Sequence, residues 1–291
     1  MSHPPEITDE YKFYVLRKRM AEDLILRAFD GFRREGIEPI LIKGWAAARN
    51  YPEFQPRFFG DIDVSVSAAD YEKASKVIDS PGSEIGGIDL HRELNHLDTV
   101  DWPQLFSNSK LVPLDGKEVR VLCAEDHLRV LCVHWLTNGG EDRERLWDIV
   151  YAVRNRPADF SWSKCLDVVS ENRRQWIVTT IGIAHKYLGL ELERLPFADK
   201  ARILPSWLTH CLEKEWDKKL EIRPLHTQLR NPRSLIRQIT KRIPPNPIQA
   251  TINCNGDFNS RTRIGYQIRD MFQRFMPGAR RVSSVLVKRS P

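Results

Sequence analysis

The run Asp61-Ile62-Asp63-Val64-Ser65-Val66-Ser67 alternates polar and apolar residues at a period of two, the pattern of a strand with one buried and one polar face. Ile62, Val64 and Val66 must be covered, so the strand belongs to a sheet packed on a core. The opposite face begins with two carboxylates two residues apart. Asp61 and Asp63 would project together, and such a pair repels itself unless a cation or a proton neutralises it. Hard carboxylate oxygens suit Mg2+ or Mn2+. An edge strand carrying two solvated acids would show the same pattern, so the neighbouring segments decide between the readings.

Upstream, Pro39-Ile40-Leu41-Ile42 is short and apolar, a buried strand, and it runs into Lys43-Gly44 and a helix over 45–50. Gly44 lets a backbone approach closely, free N–H groups at a helix start favour phosphate, and Lys43 adds a point charge. Before this strand, 10–34 reads as an amphipathic helix, with Leu16, Met20, Leu24, Ala28 and Phe32 recurring every four residues toward the core. After the Asp61–Ser67 strand, Asp70 predicts the N-cap of a helix over 71–78. Residues 85–94 return as an extended segment, Ile88 and Leu90 on one face and Asp89 and His91 on the other. Beyond Val119-Arg120-Val121-Leu122 the periodicity becomes helical, as in Leu128, Leu131, Cys132, Trp135 and Leu136. The expected architecture is α/β (α+β): a mixed unit over 1–122, a helical domain over 123–222 and a C-terminal extension over 223–291.

Charge separates that extension from the rest. Residues 223–291 hold fourteen Lys and Arg against two acids, whereas 1–222 hold 31 bases and 37 acids. The extension predicts contact with an anionic surface, and Ile264–Phe275 could form a basic amphipathic helix on a membrane face. No stretch approaches the ~20 apolar residues of a membrane span. The N-terminus lacks the apolar segment of a secretory signal. Five scattered cysteines with no Cys-x-x-Cys pair argue against a disulfide framework or a cysteine-rich zinc site, and point to a reducing cytoplasm.

The blocks Leu41-Ile42-Lys43-Gly44-Trp45-Ala46-Ala47, Tyr51-Pro52 and Arg57-Phe58-Phe59-Gly60-Asp61-Ile62-Asp63-Val64-Ser65-Val66 resemble an uncharacterised nucleotidyltransferase family of the polymerase-beta-like superfamily. The resemblance continues in Ile88-Asp89-Leu90-His91, in Cys123 to Leu128, in His134 and in Leu146-Trp147-Asp148-Ile149, and covers roughly 35–190. It implies a polymerase-beta-like palm with a small mixed sheet, followed by a helical domain. It implies metal-dependent transfer of a nucleoside monophosphate from ATP or another nucleoside triphosphate to a hydroxyl acceptor, with release of pyrophosphate. Small molecules, glycan precursors, proteins and RNA are all candidate acceptors. Asp61 and Asp63 would bind Mg2+ or Mn2+ with Asp89 as third carboxylate and Glu93 as its fallback, while Lys43, Gly44 and Arg57 would serve the nucleotide. Arg57 could clamp a phosphate or hold Asp61 in place. Two departures stand out: the superfamily's glycine–serine pair is Gly44-Trp45 here, and only 25 residues separate Asp63 from Asp89. A nucleotide-binding or antitoxin-like regulatory protein that keeps the fold without the activity is the alternative.

Overall fold

The computed structural model describes residues 9–80, 85–217, 243–259 and 261–273. They form two compact units. The first runs to Leu131 and takes in Asp148–Val169; the second comprises Cys132–Trp147 and the described residues from Ser170 onward.

In the first unit a five-stranded sheet has the order β3-β2-β1-β5-β4, with β1 at Ile40–Leu41, β2 at Ile62–Val66, β3 at Ile88–Arg92, β4 at Lys110–Leu114 and β5 at Lys117–Val121. The sheet is mixed: β1 is antiparallel to β2 and parallel to β5, β2 is parallel to β3, and β4 is antiparallel to β5. α1 (Asp9–Arg34) and α3 (Tyr71–Asp79) flank it. Ile25, Ala28, Phe29 and Phe32 of α1 join Leu41, Ile62, Val64, Val66, Val119 and Val121 in one core. Alternation along β2 thus turns its apolar residues to α1 and leaves Asp63 and Ser65 on the other face.

Only half of the expected α1 stripe is buried. Leu16 and Met20 are 58% and 63% exposed, whereas Ala28 and Phe32 are fully covered. The cause is length: a 26-residue helix is about 39 Å long, and a five-residue strand spans about 17 Å. The sheet cannot reach the helix's first turns. Asp70 precedes α3 but its side chain makes no cap bond to the helix; it accepts instead from the Ser67 hydroxyl at 2.6 Å. α4 (Trp102–Asn108), capped by Asp101, and strand β4 were not foreseen.

The crossover from β2 to β3 carries α3 and still returns in register, pairing Asp63 with Asp89 and Ser65 with His91. α5 (Ala124–Thr137), α6 (Leu146–Arg154) and α7 (Trp162–Leu166) follow the sheet. The second unit is helical around α8 (Glu171–Leu188), whose residues from Trp176 to Ala184, a stretch with no charged side chain, are all buried. Much of the expected basic extension lies outside the described residues. Its described part includes a short helix at Pro247–Asn253 and another over 264–273.

Candidate active site

Asp63 lies on β2, an interior strand of the sheet, and is 6% exposed. A lone carboxylate so placed would be costly, and two neighbours compensate it. Lys43 Nζ sits 2.8 Å from Asp63 Oδ1, and His91 Nε2 sits 3.1 Å from the same oxygen. Burial pushes the Asp63 carboxyl up, but hydrogen bonds and charge from His91 and Lys43 outweigh it, so its pKa lies below the usual range. Lys43 arrives here because β1 runs antiparallel to β2, and the Ile42 N–H donates to the Asp63 carbonyl at 3.1 Å.

Asp89 stands directly opposite Asp63 on the parallel neighbour, and partners in register project to one face. His91, two residues along β3, shares that face and lies 3.4 Å from Asp89 Oδ2. Asp63, Asp89 and His91 each place a ligand atom within 4.8 Å of the others. The Asp89 side chain is 63% exposed, so the cluster is open to solvent on that side. Asp61 sits one residue before β2, is exposed, and lies outside this three-residue group. The fallback acid, Glu93, accepts from the Ala68 N–H and the Asn95 side chain beyond the end of β3.

Gly44 has φ 56° and ψ −111°, a conformation open to glycine. A Cβ there would meet the Asp61 carbonyl oxygen at 2.8 Å, so the lysine–glycine turn lies directly against the carboxylate strand. Arg57 fixes this turn. Its Nη1 donates to the Gly44 carbonyl at 3.1 Å, while Nε and Nη2 donate to Asp148 at 2.5 and 2.8 Å. Tyr51 also donates to Asp148, at 2.7 Å. The guanidinium is buried and fully engaged. Burial pulls its pKa down, but Asp148 reverses this and holds it above the ordinary value.

The helix after Gly44, α2 (Trp45–Ala48), is a single turn. That is too short for the anion-binding helix start expected there. One nearby cation carries no signal in the sequence. Arg17 of α1 lies 3.6 Å, at Nη2, from where a Gly60 Cβ would stand, beside Asp61. It is exposed and makes no ion pair among the described residues. No local pattern marks Arg17, because its closeness to Gly60 arises from α1 crossing the sheet.

A small mixed sheet that sets two carboxylates in register beside a lysine–glycine turn is a nucleotidyltransferase-like fold. The chain belongs to the family described as uncharacterised nucleotidyltransferase, whose model matches residues 3–189. No curated protein matches it significantly. Among solved structures, an antigenic nucleotidyltransferase-like protein from Paracoccidioides brasiliensis is similar to it at 14% identity and a TM-score of 0.39, over 64% of this chain and 94% of that one. No described helix is long and apolar enough to cross a membrane.

Proposed function

We propose that this protein is a metal-dependent nucleotidyltransferase that moves a nucleoside monophosphate from a nucleoside triphosphate, such as ATP, to a hydroxyl acceptor. The observation that carries this reading is the pairing of Asp63 with Asp89 beside Lys43. Two carboxylates and one imidazole within 4.8 Å fit a divalent cation. Carboxylate oxygens suit Mg2+ or Mn2+, and the nitrogen donor favours Mn2+. Asp63, Asp89 and His91 would hold the ion, with Asp61 adding a carboxylate at the mouth. The bound ion supplies charge neutralisation for the triphosphate and the leaving oxygens.

The chain's own groups do the rest. The acceptor oxygen attacks the α-phosphorus, the bond from that phosphorus to the bridging oxygen breaks, and pyrophosphate leaves. Asp89, exposed beside the cluster, takes the acceptor proton. Lys43 and Arg17 offer positive charge to the phosphates, and Gly44 lets them approach the backbone. Arg57 acts as a positioning residue, holding the Gly44 carbonyl through its pair with Asp148. Catalysis by positioning and charge is the pattern of phosphoryl-group chemistry.

The test is incubation of the full chain with each α-labelled triphosphate, Mg2+ or Mn2+, and a cell extract. Labelled product that disappears in the Asp61→Asn/Asp63→Asn double variant supports the reading; transfer retained in that variant removes it. A non-catalytic nucleotide-binding role is the second reading. Its support is Trp45, which stands where a serine hydroxyl would contact phosphate, is 6% exposed, and donates its ring N–H to Glu22 at 3.0 Å. Metal-dependent triphosphate binding without pyrophosphate release, across a broad acceptor screen, would favour it.

Two further assignments belong to this reading. A reducing cytoplasm suits five cysteines scattered along the chain with no Cys-x-x-Cys pair. Contact of the extension with an anionic surface is supported by Ile264, Ile268 and Phe272, exposed at a spacing of four near Arg261 and Arg269. Sedimentation with vesicles containing phosphatidylserine, but not with neutral ones, is the expected result.

A further inference from the structure

Lys43 sits inside the carboxylate cluster, and that position creates a conflict. Its Nζ lies 2.8 Å from Asp63 Oδ1, and the two side chains are only 10% and 9% exposed. The same oxygen faces His91 Nε2 at 3.1 Å, so it is held from two sides. Lys43 also cancels one of the two formal negative charges of Asp63 and Asp89, the charges that would draw a divalent ion to the group. An ion bound by Asp63, Asp89 and His91 would have to share Asp63 with an ammonium already at hydrogen-bond distance. Like charges that close repel strongly where water is largely excluded, so the lysine and the ion compete for one carboxylate.

A second observation concerns where the lysine can go. Lys43 directly precedes Gly44, whose positive φ and contact with the Asp61 backbone make this turn the place where a phosphate can come close to the chain. An ammonium on a four-carbon stem is a movable point charge. It can swing from carboxylate to phosphate by side-chain rotation alone. Arg57 cannot do the same, because its planar fork is fixed by Asp148 on one side and the Gly44 carbonyl on the other. The turn therefore carries one locked cation and one movable cation. The two acids differ in the same way. Asp63 is buried and needs a counter-charge whichever cation supplies it. Asp89, 63% exposed, leaves the group open to an ion from solvent.

We propose that Lys43 is a place-holding cation that keeps divalent ions off Asp63 until a triphosphate draws the ammonium away. With nucleotide bound, Lys43 turns to the phosphates and the divalent ion takes over the neutralisation of Asp63. Ion and nucleotide then raise each other's affinity by the same factor, beyond their own chelation in solution. Removing the lysine charge should therefore strengthen ion binding, the opposite of what a lysine that merely orders the carboxylate would do. This inference rests on the cation site proposed above, but not on transfer: it holds equally for a protein that binds the nucleotide without cleaving it.

The test is titration of the full chain with Mn2+, free ion being read by electron paramagnetic resonance, with and without an α,β-methylene triphosphate that cannot be cleaved at the α-phosphorus. Without nucleotide, Lys43→Met and Lys43→Gln should bind Mn2+ about tenfold or more tighter than the wild type, as loss of an opposing charge requires. Lys43→Arg keeps the charge and should gain nothing, and Asp63→Asn should lose the binding. The analogue should raise Mn2+ affinity by a factor about tenfold larger in the wild type than in Lys43→Gln. Lys43→Met leaves Asp63 without its ammonium and can loosen the fold; Mn2+ should then raise its melting temperature more than that of the wild type. Lys43→Gln keeps a polar group beside Asp63 and reads the same sign without that loss. Mn2+ binding equal or weaker in both charge-free variants, or an equal effect of the analogue in wild type and Lys43→Gln, would overturn the proposal while leaving the cation site in place. No Asp63-dependent Mn2+ binding in any of these proteins, with or without the analogue, would overturn the cation site and this proposal together. Tighter binding in the variants of a protein that transfers nothing would support the place-holder and remove only the transfer.

Discussion

At the scale of single residues, the Arg57–Asp148 pair and the Asp63 cluster differ in kind. Both partners of the first are below a tenth exposed and the pair is bidentate, so removing one leaves the other charge buried and unpaired. Arg57→Ala is expected to destabilise the fold by about 3–5 kcal/mol, read from chemical denaturation. Arg57→Lys should recover little of it, because an ammonium cannot reproduce two parallel bonds to Asp148 while holding the Gly44 carbonyl. Asp63, by contrast, borders the exposed Asp89. If His91 is a ligand there, His91→Phe should weaken Mn2+ binding by about tenfold or more and Mg2+ less, since imidazole nitrogen suits the first ion better. Equal loss for both ions, or none, in a competition titration would argue that His91 only orders the carboxylates.

Among elements, the turn between β1 and α2 is the most constrained. Gly44→Ala would bring a Cβ to 2.8 Å from the Asp61 carbonyl, a contact that backbone atoms cannot absorb without moving, and would strain a positive φ. A loss of about 1–3 kcal/mol is expected, with the proposed transfer activity falling further than stability because the strand shifts against Lys43. The approach of α1 to the sheet is tied by Glu38, which takes two bonds from Arg33 at 2.8 Å each and one from Arg120 at 3.4 Å. Burial alone raises the Glu38 pKa, but the two arginines bring it below the ordinary 4.5. A depressed acid contributes stability that is present above its unfolded pKa and lost as pH falls through its folded one. Glu38→Gln should therefore lower the melting temperature at pH 7, with the difference from wild type closing as pH falls well below 4.5. A gap that persists in acid would point to packing instead.

For the whole molecule, acid sensitivity should be dominated by His127. Burial, with Arg57 and Arg49 adding to it and Asp148 opposing, drops the ring from 6.5 to about 4. A base depressed in this way binds its proton more readily in the unfolded chain. Stability is therefore full above pH 6.5 and declines as pH falls toward 4, by up to a few kcal/mol on the order of 1.4 per pKa unit. Melting curves between pH 4 and 7.5 should show this slope in the wild type and a shallower one in His127→Phe. An identical slope in both would relocate the sensitivity to the carboxylates.

Much of this was legible in the residues alone. Period-two alternation marked β2, the run at 39–42 marked β1, and the apolar spacings marked α1 and α5. The hairpin β4–β5 has its own signal in Asp115-Gly116, a two-residue turn at φ 47° and 78° between the strands. Strand pairing was not legible. That Asp63 faces Asp89, that Lys43 reaches Asp63, that Arg57 is spent on Asp148 and that Arg17 comes to Gly60 all depend on contacts between segments tens of residues apart. Local spacing determined which side chains share a face of a strand or helix, since that is set by backbone geometry within a few residues. Which faces meet, and therefore which charges gather, was decided by packing the whole sheet and its helices around one core.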